Sequence, residues 1–423
     1  MGCQRRGRIH LAVETIREMK SSKTIVRLYY AFQFFFSLLV WIPIFYRYQR
    51  EIGLNDQQIF SIQSIYYIFF CILEIPTGLI ADFWGHRRCM IAGALTLVIS
   101  NLLPIFFQSY HGFLFHFLSI ALARSFISGA SSAYLYNYLS TQKQAEEFKQ
   151  IEGSARAYGL IGKVVCWSAV GWLMAWHLTL PYWLTVLTSG LSLFFAILLP
   201  PLSESKLNNK KDEQKFIGKT LLSQLSEAFR NLLTSPFLFL IMLQGIAIFV
   251  LSRIAQVNLY QPILENKQYG IESFGPVMSA MTVFEALGSA KPGWIRKWMS
   301  DLNAVFFLTA IMAVSIASMI FGGKALVFIL FCVFSYATGL SFPIQRQLLN
   351  DAITDSRFRA TLLSIESIID RAVCAWTASL MGTFLATGRL NQFLILSGEV
   401  TLGFLVLVAL GLQFTSVQKK QKN

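Results

Sequence analysis

The chain has 423 residues, of which 55% are apolar and only 14% charged, whereas soluble domains carry about 25% charged side chains. With a mean hydropathy of +0.53, it has too little charge to cover a soluble globule. That excludes a disordered chain, a secreted disulfide scaffold and an ordinary cytosolic enzyme, and leaves a polytopic membrane protein. The net charge of +14, from 36 basic and 22 acidic residues, would suggest nucleic acid in a soluble protein, so its distribution matters.

Residues 1–24 carry recurrent bases without a long apolar centre or a small-residue cleavage site. They read as a cytoplasmic amphipathic lead-in, not a signal peptide. Met1-Gly2-Cys3 has the look of an acylation start, but Arg6 stands where the myristoylation pattern wants Ser or Thr. A hydrocarbon core of about 30 Å needs roughly 20 helical residues. Twelve such runs follow, near 26–46, 58–81, 89–108, 113–136, 155–176, 179–200, 237–261, 272–290, 303–321, 325–345, 361–385 and 391–414. No alternating strand pattern occurs, which argues against a transmembrane barrel. Trp and Tyr frame many runs, as at Tyr29, Tyr30 and Trp41, in keeping with interfacial belts.

The fold expected is all-α, with twelve transmembrane helices in two six-helix halves. One half covers 25–201 and the other 237–415, joined by a polar linker at 202–236 and followed by a tail at 416–423. No residue-level repeat relates them; the symmetry is in helix count and hydropathy, the weak form seen in paired transporter halves. With both termini inside, cytoplasmic segments hold 27 of the 36 Lys and Arg and the opposite segments five, leaving four inside helices. This asymmetry orients the chain and absorbs the basic excess, so no nucleic-acid partner is expected. The six cysteines form no CxxC pair, and neither a disulfide framework nor a metal site is indicated.

Between the second and third runs the sequence reads Pro76-Thr77-Gly78-Leu79-Ile80-Ala81-Asp82-Phe83-Trp84-Gly85-His86-Arg87-Arg88. This resembles the signature loop of the major facilitator superfamily, with Gly78, Asp82, Gly85, Arg87 and Arg88 matching and His86 replacing a usual base. Glu74, preceding Pro76, makes the segment similar to a bacterial subgroup with an E-x-P-T-G start. The chemistry suits a cytoplasmic gate: Gly allows close helix approach, Asp82 can pair across it, and the arginines can sit among lipid head groups. Other family marks are partial. Arg124 through Ala130 looks like the fourth-helix motif with Gly129 one position late, the fifth run lacks the Gly-Pro pair of drug-proton antiporters, and Gly288–Lys297 is a degenerate second signature without its Asp.

The resemblance implies a central cavity lined by the first, fourth, seventh and tenth helices. Ionisable groups at bilayer depth are costly and face a cavity or a partner. The candidate substrate residues are Gln33, Arg124, Ser128, Lys163, Arg253, Gln256 and Tyr336, and Asn258 lies on the same seventh helix. Arg124 reads as a substrate clamp or a structural counter-ion, and Lys163 as a cavity cation or a snorkelling one. Glu366 and Asp370, four apart, share a helical face. Either one is protonated, as proton coupling would require, or cations such as Arg371 hold both. In the first half Arg124 and Lys163 are deep without an equally deep acid, and paired cations attract an anion.

The function implied is secondary transport of a small anionic solute, such as an organic acid or a carboxylate siderophore, across the bacterial inner membrane. Multidrug or metabolite efflux by proton antiport is the alternative. No P-loop occurs, so an ion gradient would supply the energy, or transport would be facilitated only. An integral-membrane enzyme would need a reactive constellation that the sequence does not show. A monomer without cofactor, contacting membrane lipid, its solute and a coupling proton, is expected.

Overall fold

The computed structural model describes residues 23–201, 232, 235–353 and 359–422. The amphipathic lead-in, the acylation-like start and nearly all of the linker lie outside the described residues, as do the side chains of Glu74 and Asp82. Among the described residues there is no strand. The helices are α1 (23–37), α2 (Phe45–Glu51), α3 (Asp56–Trp84), α4 (His86–Phe106), α5 (Tyr110–Thr141), α6 (Phe148–Ser168), α7 (Val170–Trp176) and α8 (Leu180–Leu198). After the linker come α9 (Pro236–Arg253), α10 (Tyr260–Asn266), α11 (Phe274–Ala290), α12 (Asp301–Ser318), α13 (Lys324–Ala352), α14 (Arg359–Ala386) and α15 (Leu390–Lys422).

Nine helical segments among the described residues are long and apolar enough to cross a membrane, and α6 with α7 makes a tenth. The remaining two expected passes are α3 and the 17-residue α11. Three runs read as single helices are interrupted. The first breaks at 38–41, and the sixth span compensates: Thr185 Oγ1 accepts the Val40 N–H at 3.1 Å and Thr188 Oγ1 donates to the Leu38 carbonyl at 3.0 Å. Non-helical backbone at membrane depth needs such internal partners. The fifth run bends by 42° between α6 and α7. In the seventh, a π-helical turn at Ile254–Leu259 joins α9 to α10. The last helix runs on to Lys422, through the segment read as a tail.

The chain forms two compact units, and their boundary cuts across the expected halves. One comprises 1–41, 72–166 and 179–204; the other 42–71, 167–178 and 205–423. The first is held by a core of Tyr29, Phe32, Cys89, Met90, Ala94, Ala130, Tyr134 and Leu139. A second polar-aromatic cluster stacks Trp41 on Tyr182, with Trp41 Nε1 donating to Asn101 Oδ1 at 2.7 Å and the buried His116 edge-on to both rings.

The second unit gathers short pieces of first-half sequence onto second-half helices, and its contacts show why. The Gln261 Oε1 accepts the N–H groups of Tyr46 and Arg47 at 2.9 and 3.2 Å, and Gln261 Nε2 donates to the Ile42 carbonyl at 3.0 Å. Where Gly171 meets the Ile271 carbonyl, and Gly275 the Trp167 carbonyl, backbones approach too closely for any Cβ. A similar crossing joins α11 to α13, where Gly288 lies against the Tyr336 carbonyl and Gly339 against that of Glu285. Small residues let helices approach in this way in membranes.

Candidate functional site

In the second unit the seventh span carries Arg253, Gln256 and Asn258. Arg253 closes α9, partly buried, with its guanidinium over the Phe249 ring at 5.3 Å. Tyr67, Tyr66, Cys374 and Asp370 lie within its electrostatic reach. Asn258, in the π-helical turn, is fully buried and faces Tyr67. Gln256 is committed differently: its Nε2 donates to Glu285 Oε2 at 2.9 Å, tying the seventh span to the eighth. Tyr336 is partly buried on α13.

The three candidate coupling residues on α14 separate. Glu366 accepts from Arg346 Nη1 at 3.2 Å, with its side chain 13% exposed. The sequence reading offered Arg371 as the cation holding both acids; instead Arg346 of α13 pairs with Glu366, and Arg371 lies over the Phe70 ring at 4.2 Å. Asp370 is buried, near Arg253 and Cys374.

Further along the same unit, the ends of the first and seventh spans carry a charged network. Tyr46 Oη donates to Asp56 Oδ1 at 2.7 Å, Arg50 Nη1 donates to the same oxygen at 3.0 Å, and Arg47 reaches both Glu51 and, at 3.4 Å, Glu265.

In the first unit the structure reveals an acid that sequence reading placed in a loop. Glu152 stands in α6, its side chain 15% exposed; Tyr29 Oη donates to it at 2.7 Å, Ser132 Oγ at 3.0 Å, and Arg156 pairs with it at 3.5 Å. Gln33 Nε2 donates to the Tyr29 hydroxyl at 2.9 Å, which brings one predicted substrate residue onto this network. Beside the first-half cations Arg124 and Lys163 the first unit thus also holds a largely buried acid, Glu152, which Arg156 pairs. Arg124 and Lys163 are partly buried on α5 and α6. Ser128 turns back to the Ser125 carbonyl of its own helix at 3.4 Å. A cleft of about 360 Å³, lined by Lys23, Arg27, Tyr30, Gln144, Glu147 and Ser154 among others, contains none of the predicted substrate residues.

The signature segment has a structural task besides any gating. Gly85 takes a positive φ of 89° between α3 and α4, a conformation glycine adopts without steric cost. Arg87 was expected among lipid head groups. It instead donates to the carbonyls of Leu199 at 2.5 Å and Ile197 at 2.7 Å, and Tyr134 Oη donates to that of Pro200 at 2.8 Å. Together they satisfy the end of α8, where carbonyls lack intrahelical partners. Arg88 is exposed and reaches the Trp84 carbonyl at 3.5 Å. The backbone of Gly78 lies within α3.

The family model of the Major Facilitator Superfamily matches residues 28–367. The chain belongs to the Major Facilitator Superfamily. Among solved structures it is similar to the nucleoside transporter NupG, at 13% identity and a TM-score of 0.71, covering 92% of this chain and 98% of that one. It is also similar to a POT family transporter in complex with a thioalcohol-conjugated peptide (13% identity, TM-score 0.67, 91% and 94% covered). A third likeness is to peptide transporter POT in complex with sulfate (12%, 0.68, 91% and 93%). No curated protein matches the sequence. At such identities the solved structures share the fold. For this Major Facilitator Superfamily transporter, the all-α architecture read from the sequence therefore holds.

Sequence reasoning missed Tyr67, Glu152 and Gln261. Glu152 could have been found by its spacing: with Ala155, Gly159 and Gly162 it extends one buried helical face of the fifth run toward the N-terminus. For Tyr67 and Gln261 no local signal exists, because their partners lie far away in sequence.

Proposed function

We propose that this Major Facilitator Superfamily protein is a secondary active transporter moving a small anionic solute, such as an organic acid or carboxylate siderophore, across the bacterial inner membrane. The observation that carries this reading is a mismatch of charge pairing. The acids Glu152 and Glu366 are matched by Arg156 and Arg346, whereas Arg124 forms no salt bridge among the described residues and Arg253 shares the acid Asp370 with a second cation, Arg371. A surplus of cations over carboxylates in apolar helices offers a place to a carboxylate carried by the solute.

The orientation rests on the 27-to-five distribution of bases, which sets both termini in the cytoplasm. The Glu74–Asp82 segment supports membership of the bacterial subgroup it resembles. Under this orientation Gln261, Arg47 and Glu265 lie at the outer face, and their contacts break and re-form as access alternates. Gln33, Arg124, Ser128, Lys163, Arg253, Gln256 and Tyr336 serve the solute; Glu366, Asp370 and Arg371 serve coupling to protons.

The test is uptake of organic anions by purified protein in liposomes. Arg124→Ala and Lys163→Ala should each lower uptake at least tenfold, and unchanged uptake in both removes the anion assignment. Flux of cationic drugs alone would establish the efflux alternative in its place.

A further inference from the structure

Five residues separate Arg253 from Asn258, which in an α-helix places them roughly 140° apart, on diverging faces. The π-helical turn at Ile254–Leu259 changes this. Its i→i+5 closure carries the fifth residue onto the next turn; Arg253 lies over Phe249, which packs against the Tyr67 cluster, and Asn258 is within reach of Tyr67. The surroundings are aromatic and apolar: Tyr67 packs with Tyr66, Phe249, Val250, Ala375 and Ala378. Within this shell Asn258 is fully buried, and neither its amide oxygen nor its amide nitrogen closes a hydrogen bond of ordinary geometry. One helical turn from Tyr67 on α3, Gln63 is 1% exposed with its amide nitrogen in the same condition. Buried polar groups are normally satisfied, and each that is not costs about 1–3 kcal/mol. A π turn costs a helix its regular ladder and recurs at functional sites.

We propose that Arg253, Asn258 and Tyr67 form a subsite for a hydroxycarboxylate. The reading rests on the carboxylate transport proposed above and adds to it the group that the solute must carry beside its carboxylate. Arg253 takes the carboxylate through its planar fork of donors. Asn258 has an idle donor and an idle acceptor side by side, and a hydroxyl, which is both donor and acceptor, satisfies the two at once. Tyr67 stands between them, its ring forming the wall and its hydroxyl able to bridge. A solute lacking the hydroxyl leaves the amide unsatisfied, and a site built in this way rejects the deoxy analogue far more strongly than an apolar pocket rejects a missing methylene. Asp370 and Arg371 lie with Arg253 in electrostatic reach of Cys374, and the three together carry one net positive charge, which one carboxylate neutralises.

The experiment uses the full chain in lipid nanodiscs and measures binding by calorimetry of three matched pairs: lactate and propionate, malate and succinate, citrate and tricarballylate. Wild type should bind the hydroxylated member of at least one pair tenfold or more tightly. In Asn258→Ala that preference should fall to within about twofold, and Asn258→Ser, which keeps a small hydroxyl, should fall between them and stands in should the alanine variant misfold. Arg253→Ala should weaken both members of the pair together. Equal binding of both members by wild type, or a preference unaltered in both Asn258 variants, overturns the subsite while leaving carboxylate transport intact. Binding of no carboxylate at all overturns the proposed function, and the subsite with it.

Discussion

Gln261 holds Tyr46 by its backbone: the amide oxygen accepts the Tyr46 N–H at 2.9 Å while also accepting that of Arg47, and the amide nitrogen donates to Ile42. These three bonds cap the start of α2, where N–H groups have no intrahelical partner, from a residue 215 positions away in the chain. Gln261 itself is fully buried. One carboxamide therefore acts as both helix cap and interhelical tie.

Gln261→Ala strands two backbone donors and an acceptor and should destabilise the protein by about 2 kcal/mol or more, read as a lower thermal unfolding midpoint in detergent. Gln261→Glu keeps the acceptors but loses the donation to Ile42 and sets a charge near Glu265, so it should recover only part. An unchanged midpoint in the alanine variant would show that the clamp is dispensable.

Arg87 should matter for stability more than for lipid contact. Arg87→Ala exposes the end of α8 and should cost about 1–2 kcal/mol; Arg87→Lys, without the fork that reaches two carbonyls, should restore less than half. Arg88→Ala, at an exposed position with one long contact, should leave the unfolding midpoint within experimental error. Equal effects at the two positions would contradict the capping role.

The Arg346–Glu366 pair combines a 58% exposed guanidinium with a carboxylate 13% exposed. Exposure of the arginine limits the pair itself to under about 1 kcal/mol. Glu366→Gln should therefore change stability little, yet abolish the dependence of uptake on a proton gradient while solute counterflow persists. Retained gradient dependence would assign coupling elsewhere, with Asp370→Asn as the next variant.

The α11–α13 crossing should tolerate no side chain. A Cβ on Gly288 or Gly339 would meet backbone, not a flexible side chain, so Gly288→Val and Gly339→Val should each cost on the order of 2–3 kcal/mol through overpacking. Gly403, with open space beside it, is the control: Gly403→Ala should be neutral or slightly stabilising. Thermal unfolding of the three variants side by side decides this.

Much of the fold was legible because hydropathy is a local property. Each apolar run of about 20 residues declares itself without reference to any other, and Gly78, Asp82, Gly85, Arg87 and Arg88 carry the resemblance to the family whose model matches residues 28–367. The candidate site residues were legible only as types. Arg124 and Arg253 stand out because a cation in an apolar helix is costly wherever its partner lies, and Glu366 for the same reason. Glu152 escaped because it sits where a loop was read in place of the first turns of α6.

What remained was decided in three dimensions. That Gln256 is spent on Glu285, that Arg346 and not Arg371 pairs with Glu366, and that Arg87 caps α8 are facts about groups tens to hundreds of residues apart. The π-helical turn shows the reason most directly. An α-helical period reads Arg253 and Asn258 onto different faces, and one widened turn at Ile254–Leu259 alters that register, with both residues within reach of Tyr67. Sequence by itself determined that this chain carries many membrane-crossing helices and to which family it belongs. Which polar groups meet inside it depended on the packing of helices whose outer surfaces are all much alike.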